Sequence, residues 1–293
     1  MKRFLRPILF VLGAIILFCS IQSGRETVAN EHAIKKGLTF YHPEMLDSVR
    51  VDDALLIQLI RDSKAARIAN LRPDVFSIPL SRRFSTDPLR RLLTPEEPVP
   101  QLTLTRRADP FQPLPVVNNN SYTVDPPYDR ALRDPYDDIL FKALYCDQTG
   151  YDDGDFAILR STRNRAGNYA DTHFLLGLLL LRENGCFDEK RLSQEIKITA
   201  SDIALAESHD SNFSDLYAER IVFLYWAGFG NLVQSKWIAK IRSALTPDPG
   251  WRDVESDVSN AHTTGLALLA LLYAEDGRPK QSFYSLAKTA PTP

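Results

Sequence analysis

The sequence predicts an all-α protein, with antiparallel helical hairpins stacked into an open arc, a hydrophobic helix at the N-terminus and a proline-rich arm between them. Three observations carry this. From Asp137 onward apolar residues recur at helical spacing and few strand signals compete. Helices that are apolar on every side alternate with amphipathic ones. Polar residues open the wholly apolar helices at a long, regular interval.

The spacing predicts helices at about 137–146, 155–163, 171–184, 189–207, 214–227, 232–245, 260–275 and 279–288. Phe174 to Leu181 is apolar apart from Gly177, and Ile221 to Trp226 and Leu266 to Tyr273 are continuous apolar runs. Such helices must be surrounded by protein. Their neighbours carry charge on one face: Lys190, Arg191, Glu195 and Lys197, then Lys236, Lys240 and Arg242, then Arg278 and Lys280. Asn212 followed by Asp215 reads as a capping box, and Gly185 and Gly277 stand where C-caps belong. His173 and His262 are 89 residues apart (262 − 173), and half of that interval falls between Tyr217 and Ala218. The unit is therefore a helical hairpin of about 45 residues, the sign of a stacked array.

Before this region the chain changes character twice. Lys2, Arg3 and Arg6 precede an uncharged run from Pro7 to Gly24, 18 residues long. That length lies between the about 7–15 apolar residues of a cleaved signal and the roughly 20 of a spanning helix. The bulky Ile21 where a cleavage site wants a small residue favours an uncleaved anchor, and a cleaved signal stays open. Basic residues on the N-terminal side put Met1 in the cytoplasm and the bulk of the chain outside, tethered through residues 4–23 or secreted if the signal is removed. In an oxidising compartment Cys146 and Cys186 would pair as a disulfide.

A helix is expected over about 48–70 with Asp47 as its cap. Residues 71–136 hold 12 of the chain's 19 prolines, which excludes continuous helix there. The segment reads as an extended linker or wrapping arm. Its arginine pairs, Arg82-Arg83, Arg90-Arg91 and Arg106-Arg107, are interleaved with Asp87, Glu96, Glu97 and Asp109. The organisation is thus 1–24 signal-anchor or signal peptide, 25–70 helical segment, 71–136 linker or arm, and 137–293 hairpin domain. Across the whole chain 35 basic residues oppose 37 acidic ones, so no global field draws nucleic acid.

The turn Thr246-Pro247-Asp248-Pro249-Gly250-Trp251 resembles the Gln-x-Asp-Gly-Gly-Trp turn of the α/α-toroid proteins, which include terpenoid cyclases and protein prenyltransferases. Ser259-Asn260-Ala261-His262-Thr263-Thr264, with Leu266, Leu268 and Leu269, resembles the inner helix that follows such a turn. The resemblance spans about residues 137–290 and implies an α/α-toroid-like fold in which the turn ties an outer helix to the next inner one. Thr246 stands in place of Gln and Pro249 in place of the first Gly. The Asp-rich and zinc-ligand motifs of those enzymes are lacking, so the resemblance implies fold without prenyl transfer or cyclisation.

In such an array the N-termini of the inner helices meet at one end, with free N–H groups and positive dipole ends. That end would gather His173, Glu219 and His262 as acid–base candidates and Asp171, Tyr217, Trp251, Asp253 and Asn260 as ligand contacts. Asp, Asn and Thr are also ordinary N-cap residues, which gives each a structural reading. No metal site is expected, because His173 and His262 lack a short-range ligand partner. The acidic run Tyr151-Asp152-Asp153-Gly154-Asp155 does not fit a calcium loop and reads as a solvated turn. No cofactor is expected. The sequence supports a binding or interaction module that takes a small molecule or protein on its concave face. The alternative is an enzyme acting on a carbohydrate or similar small substrate.

Overall fold

The computed structural model describes residues 26–41, 56, 57, 59, 60, 139, 140, 142, 143, 146 and 150–276. The apolar segment 7–24, the arm 71–136, the helix expected at 279–288 and the cap expected at Gly277 lie outside them. Among the described residues every regular element is a helix, and none is long and apolar enough to cross a membrane. We denote residues 26–38 α1, Asp153–Thr162 α2, Tyr169–Asn184 α3, Glu189–His209 α4, Asp215–Ala227 α5, Ser235–Ser243 α6 and Ala261–Asp276 α7.

Local chemistry starts and stops these helices. Asp152 and Asp155 form a reciprocal capping box at the start of α2. The acidic run is therefore a helix N-terminus, two residues earlier than expected, because Asp is favoured at such positions by capping and by the helix dipole. Asn168 caps α3, and Gly185, in the left-handed conformation at φ 66°, ends it. The start of α5 is capped by the Ser214 side chain, which accepts the Tyr217 N–H, so the Asn212 box anticipated from the sequence sits two residues too early. Asn260 caps α7 by accepting the Thr263 N–H at 2.8 Å.

Three helices form the interior. On α7 every residue from Thr263 to Tyr273 is buried, and α3 and α5 are buried along most of their length. Each fully buried leucine in these runs contributes about 1.5–3 kcal/mol to folding. Helix α5 packs between α3 and α7, α4 lies against both α3 and α5, and α6 lies against α7. The interior helices run parallel. Tyr169 and Asp215 meet at the starts of α3 and α5, and the Trp226 indole donates to the Tyr273 hydroxyl at 2.9 Å near the ends of α5 and α7. Their first residues, 169, 215 and 261, are spaced 46 residues apart.

Both flanks of this body are closed by earlier parts of the chain. Cys146 and Cys186 form a disulfide with an S–S distance of 2.01 Å, fixing Cys146 beside the end of α3. On the far side α1 docks across α6 and α7. Asn30 donates to Glu275 at 2.6 Å and accepts from Arg242 at 2.6 Å, while Lys36 reaches the Thr246 carbonyl at 3.0 Å. Gly37 is where α1 comes closest: a Cβ there would lie 2.4 Å from the Trp251 ring.

Candidate functional site

Helical geometry sets what the start of α3 can present. Tyr169 and His173, four residues apart, share a face, whereas Asp171 points away from them. Asp215 and Glu219 make the same four-residue pair on α5. The 46-residue offset between the two helices puts Asp215 level with Tyr169 and Glu219 level with His173. Side by side and parallel, the two pairs face one another across the α3–α5 seam.

The contacts follow from that register. The Tyr169 hydroxyl donates to Asp215 Oδ1. His173 Nε2 lies 3.7 Å from Glu219 Oε1, and the Tyr169 and His173 rings are tilted against each other with centroids 6.1 Å apart. From the loop before α7, Asp253 Oδ1 accepts the Asp215 N–H at 3.1 Å. Tyr169 is 41% exposed and Glu219 only 4%, while the His173 side chain is 26% exposed. The site thus has a polar floor and an open, aromatic edge.

Two features give this seam chemical character. Glu219 Oε1 is buried with no hydrogen-bond partner, an arrangement that leaves a carboxylate without the solvation burial removed. The Tyr169 hydroxyl is pushed far above its usual range by burial, by its bond to Asp215 and by the charges of Asp215, Glu219 and Asp253. It keeps its proton and donates a hydrogen bond to Asp215. Among the described residues no Lys or Arg forms an ion pair with Asp215, Glu219 or Asp253.

The other residues picked out from the sequence occupy different places. His262 opens α7 and is half-buried, but the 46-residue register makes Gly265, not His262, the counterpart of His173 and Glu219. The 89-residue interval between the two histidines therefore misjudged the register by three residues. At Gly265 a Cβ would meet Leu56 at 2.9 Å and the Tyr41 hydroxyl at 3.0 Å. The third helix thus gives the N-terminal segment room at the level where the other two present polar groups.

Asp171 is fully buried and accepts the N–H groups of Asn164, Arg165 and Gly167. It fixes a loop in which Arg165 takes the left-handed conformation at φ 61°. Trp251 is fully buried, so it forms no rim. Its indole donates to the Ile241 carbonyl at 2.7 Å and its N–H to Thr264 Oγ1 at 2.9 Å. Tyr217 is likewise sealed in the core, and Asn260 is occupied as the cap of α7. Tyr169 was missed. Its signal was the register: it precedes Asp215 by the same interval that separates His173 from Glu219.

A second polar cluster lies behind the seam. Arg220 donates to Asp210 Oδ2 at 2.9 Å, to Glu207 Oε2 at 3.3 Å and to the Gly167 carbonyl. Lys240 sits over the Tyr217 ring, 4.7 Å from its centroid, and donates to the Asp210 carbonyl at 2.7 Å. Burial pushes the Glu207 carboxyl up to about 8, outweighing the opposing pull of Arg220. Among the described residues no group of three His, Cys, Asp or Glu side chains is placed to hold a metal ion. No protein-family model, curated protein or solved structure matches the chain.

Proposed function

We propose that this chain is a membrane-tethered or exported binding module, an α/α-toroid-like arc of helical hairpins that holds a small ligand at the exposed α3–α5 seam. One observation carries the reading: Glu219 keeps a buried carboxylate oxygen that accepts no hydrogen bond, 3.7 Å from the partly exposed His173 and next to the partly exposed Tyr169. An unsatisfied buried carboxylate lowers stability, and a ligand that supplies its missing partner would restore the loss. A thermal-shift screen of the full chain against small amines, sugars and carboxylic acids tests this. A stabilising compound whose effect is lost in Glu219→Gln and Tyr169→Phe is expected. Shifts of equal size in wild type and both variants would remove the seam from consideration.

A second reading rests on the approach of His173 Nε2 to Glu219 Oε1. A carboxylate beside an imidazole can orient it for proton transfer, and such pairs are often long before substrate arrives. In that reading the protein is an enzyme acting on a carbohydrate or similar small molecule, with His173 as acid–base group and Glu219 as its positioning residue. Turnover of a substrate found in the same screen, abolished in His173→Gln while binding persists, would favour it.

A further inference from the structure

We propose that the seam takes the ammonium group of an organic amine. The inference rests on the reading of the seam as a ligand site and goes on to name what it selects. Three carboxylates, Asp215, Glu219 and Asp253, gather around the Tyr169–His173 edge. No lysine or arginine among the described residues neutralises them. Asp215 and Asp253 have partial compensation at the start of α5, where helix N–H groups and the dipole favour anions. Glu219 lies one turn further in, 4% exposed, and its Oε1 accepts no hydrogen bond.

Oε1 has His173 Nε2 at 3.7 Å, beyond hydrogen-bond distance, so the missing partner is a donor, and three carboxylates beside a single imidazole favour a cationic one. An ammonium brings three N–H donors and a positive charge to one point. A charge-assisted bond to a carboxylate is about twice as strong as a neutral one. The Tyr169 ring adds an aromatic face of the kind that attracts ammonium groups. Among the described residues no three acidic, His or Cys side chains are placed to hold a metal ion, whereas an ammonium needs only the single carboxylate of Glu219 to accept from it.

Isothermal titration of the full chain in detergent, with 2-phenylethylamine, its neutral counterpart 2-phenylethanol, glucose and calcium chloride, tests the proposal. The amine should bind at least about tenfold more tightly than the alcohol. Its affinity should weaken as salt rises from 50 to 500 mM. Glu219→Gln and Asp253→Asn, each with unaltered far-ultraviolet circular dichroism, should each weaken amine binding about tenfold or more. Equal binding of amine and alcohol, or binding of glucose or calcium without the amine, would overturn the ammonium inference and leave the seam as the site. If no probe binds wild type at millimolar concentration, or if amine binding is untouched in both variants, the site reading falls as well.

Discussion

Adjacent residues of α5 head two polar clusters that differ in their counter-ions. Arg220 faces inward, and its guanidinium is shared among Glu207, Asp210 and the Gly167 carbonyl. Glu219 faces the α3–α5 seam, where the His173 imidazole lies 3.7 Å from Oε1 and that oxygen has no hydrogen bond. The first cluster joins α4, α5 and the 163–168 loop through the Arg220 guanidinium. The second has no Lys or Arg paired with it among the described residues and lies at a partly exposed edge. Glu207 Oε1 is also buried without a hydrogen-bond partner, so what sets the seam apart is that Glu219 has an imidazole beside it where Glu207 has a guanidinium, and that it lies at a partly exposed edge.

Breaking the inner cluster should have the largest effect. Arg220→Ala leaves Glu207 and Asp210 without their cation, and stability in urea should fall by on the order of 3–5 kcal/mol. Asp171→Ala removes the acceptor of three backbone N–H groups in the loop that Arg220 also holds. A loss of roughly 1–3 kcal/mol in the same denaturation assay is expected.

Glu207 makes the inner cluster sensitive to pH. Its carboxyl lies near 4.5 when unfolded and about 8 when folded. The folded state therefore holds this proton more tightly, and stability from this group is greatest below pH 4.5. It declines as pH rises towards about 8 and is level beyond that. In Glu207→Gln the decline should flatten, as read from urea midpoints at pH 5 and pH 8.5. At the seam the effects on folding should be smallest: Tyr169→Phe, losing one exposed hydrogen bond, should change stability by about 1 kcal/mol or less.

Much of the body was legible because it rests on strong periodic signals. The apolar runs at Phe174, Ile221 and Leu266 belong to α3, α5 and α7, and Gly185 ends α3 as its position implied. Cys146 and Cys186 are paired. Helix α1 lies in the segment 25–70 read as helical, but the one helix placed there was at about 48–70, although Asn30, Ala33, Ile34, Gly37, Leu38 and Tyr41 fall at helical spacing. An asparagine and a glycine dilute its apolar stripe, and both are there for tertiary reasons: Asn30 bonds Arg242 and Glu275, and Gly37 admits the Trp251 ring.

The site was legible only in part, because its logic is register. His173 and Glu219 were visible as polar residues on apolar helices, and they lie together. His262 drew attention as a second histidine, yet facing positions on parallel helices depend on the true interval between them. That interval selects Gly265 instead. Trp251 and Asp171 illustrate the converse limit. An aromatic or acidic residue near a helix start serves equally as pin, loop anchor or ligand contact, and only its surroundings decide which.

The thermal midpoint of ligand-free Glu219→Gln against wild type tests the central claim most directly. If Glu219 is unpaired because the seam is kept for a ligand, removing its charge should leave the midpoint unchanged or raise it. A fall of more than about 4 °C, equivalent to roughly 1 kcal/mol or more in a chain of this size, would contradict it. Glu219 would then belong with Arg220 in the framework of the fold.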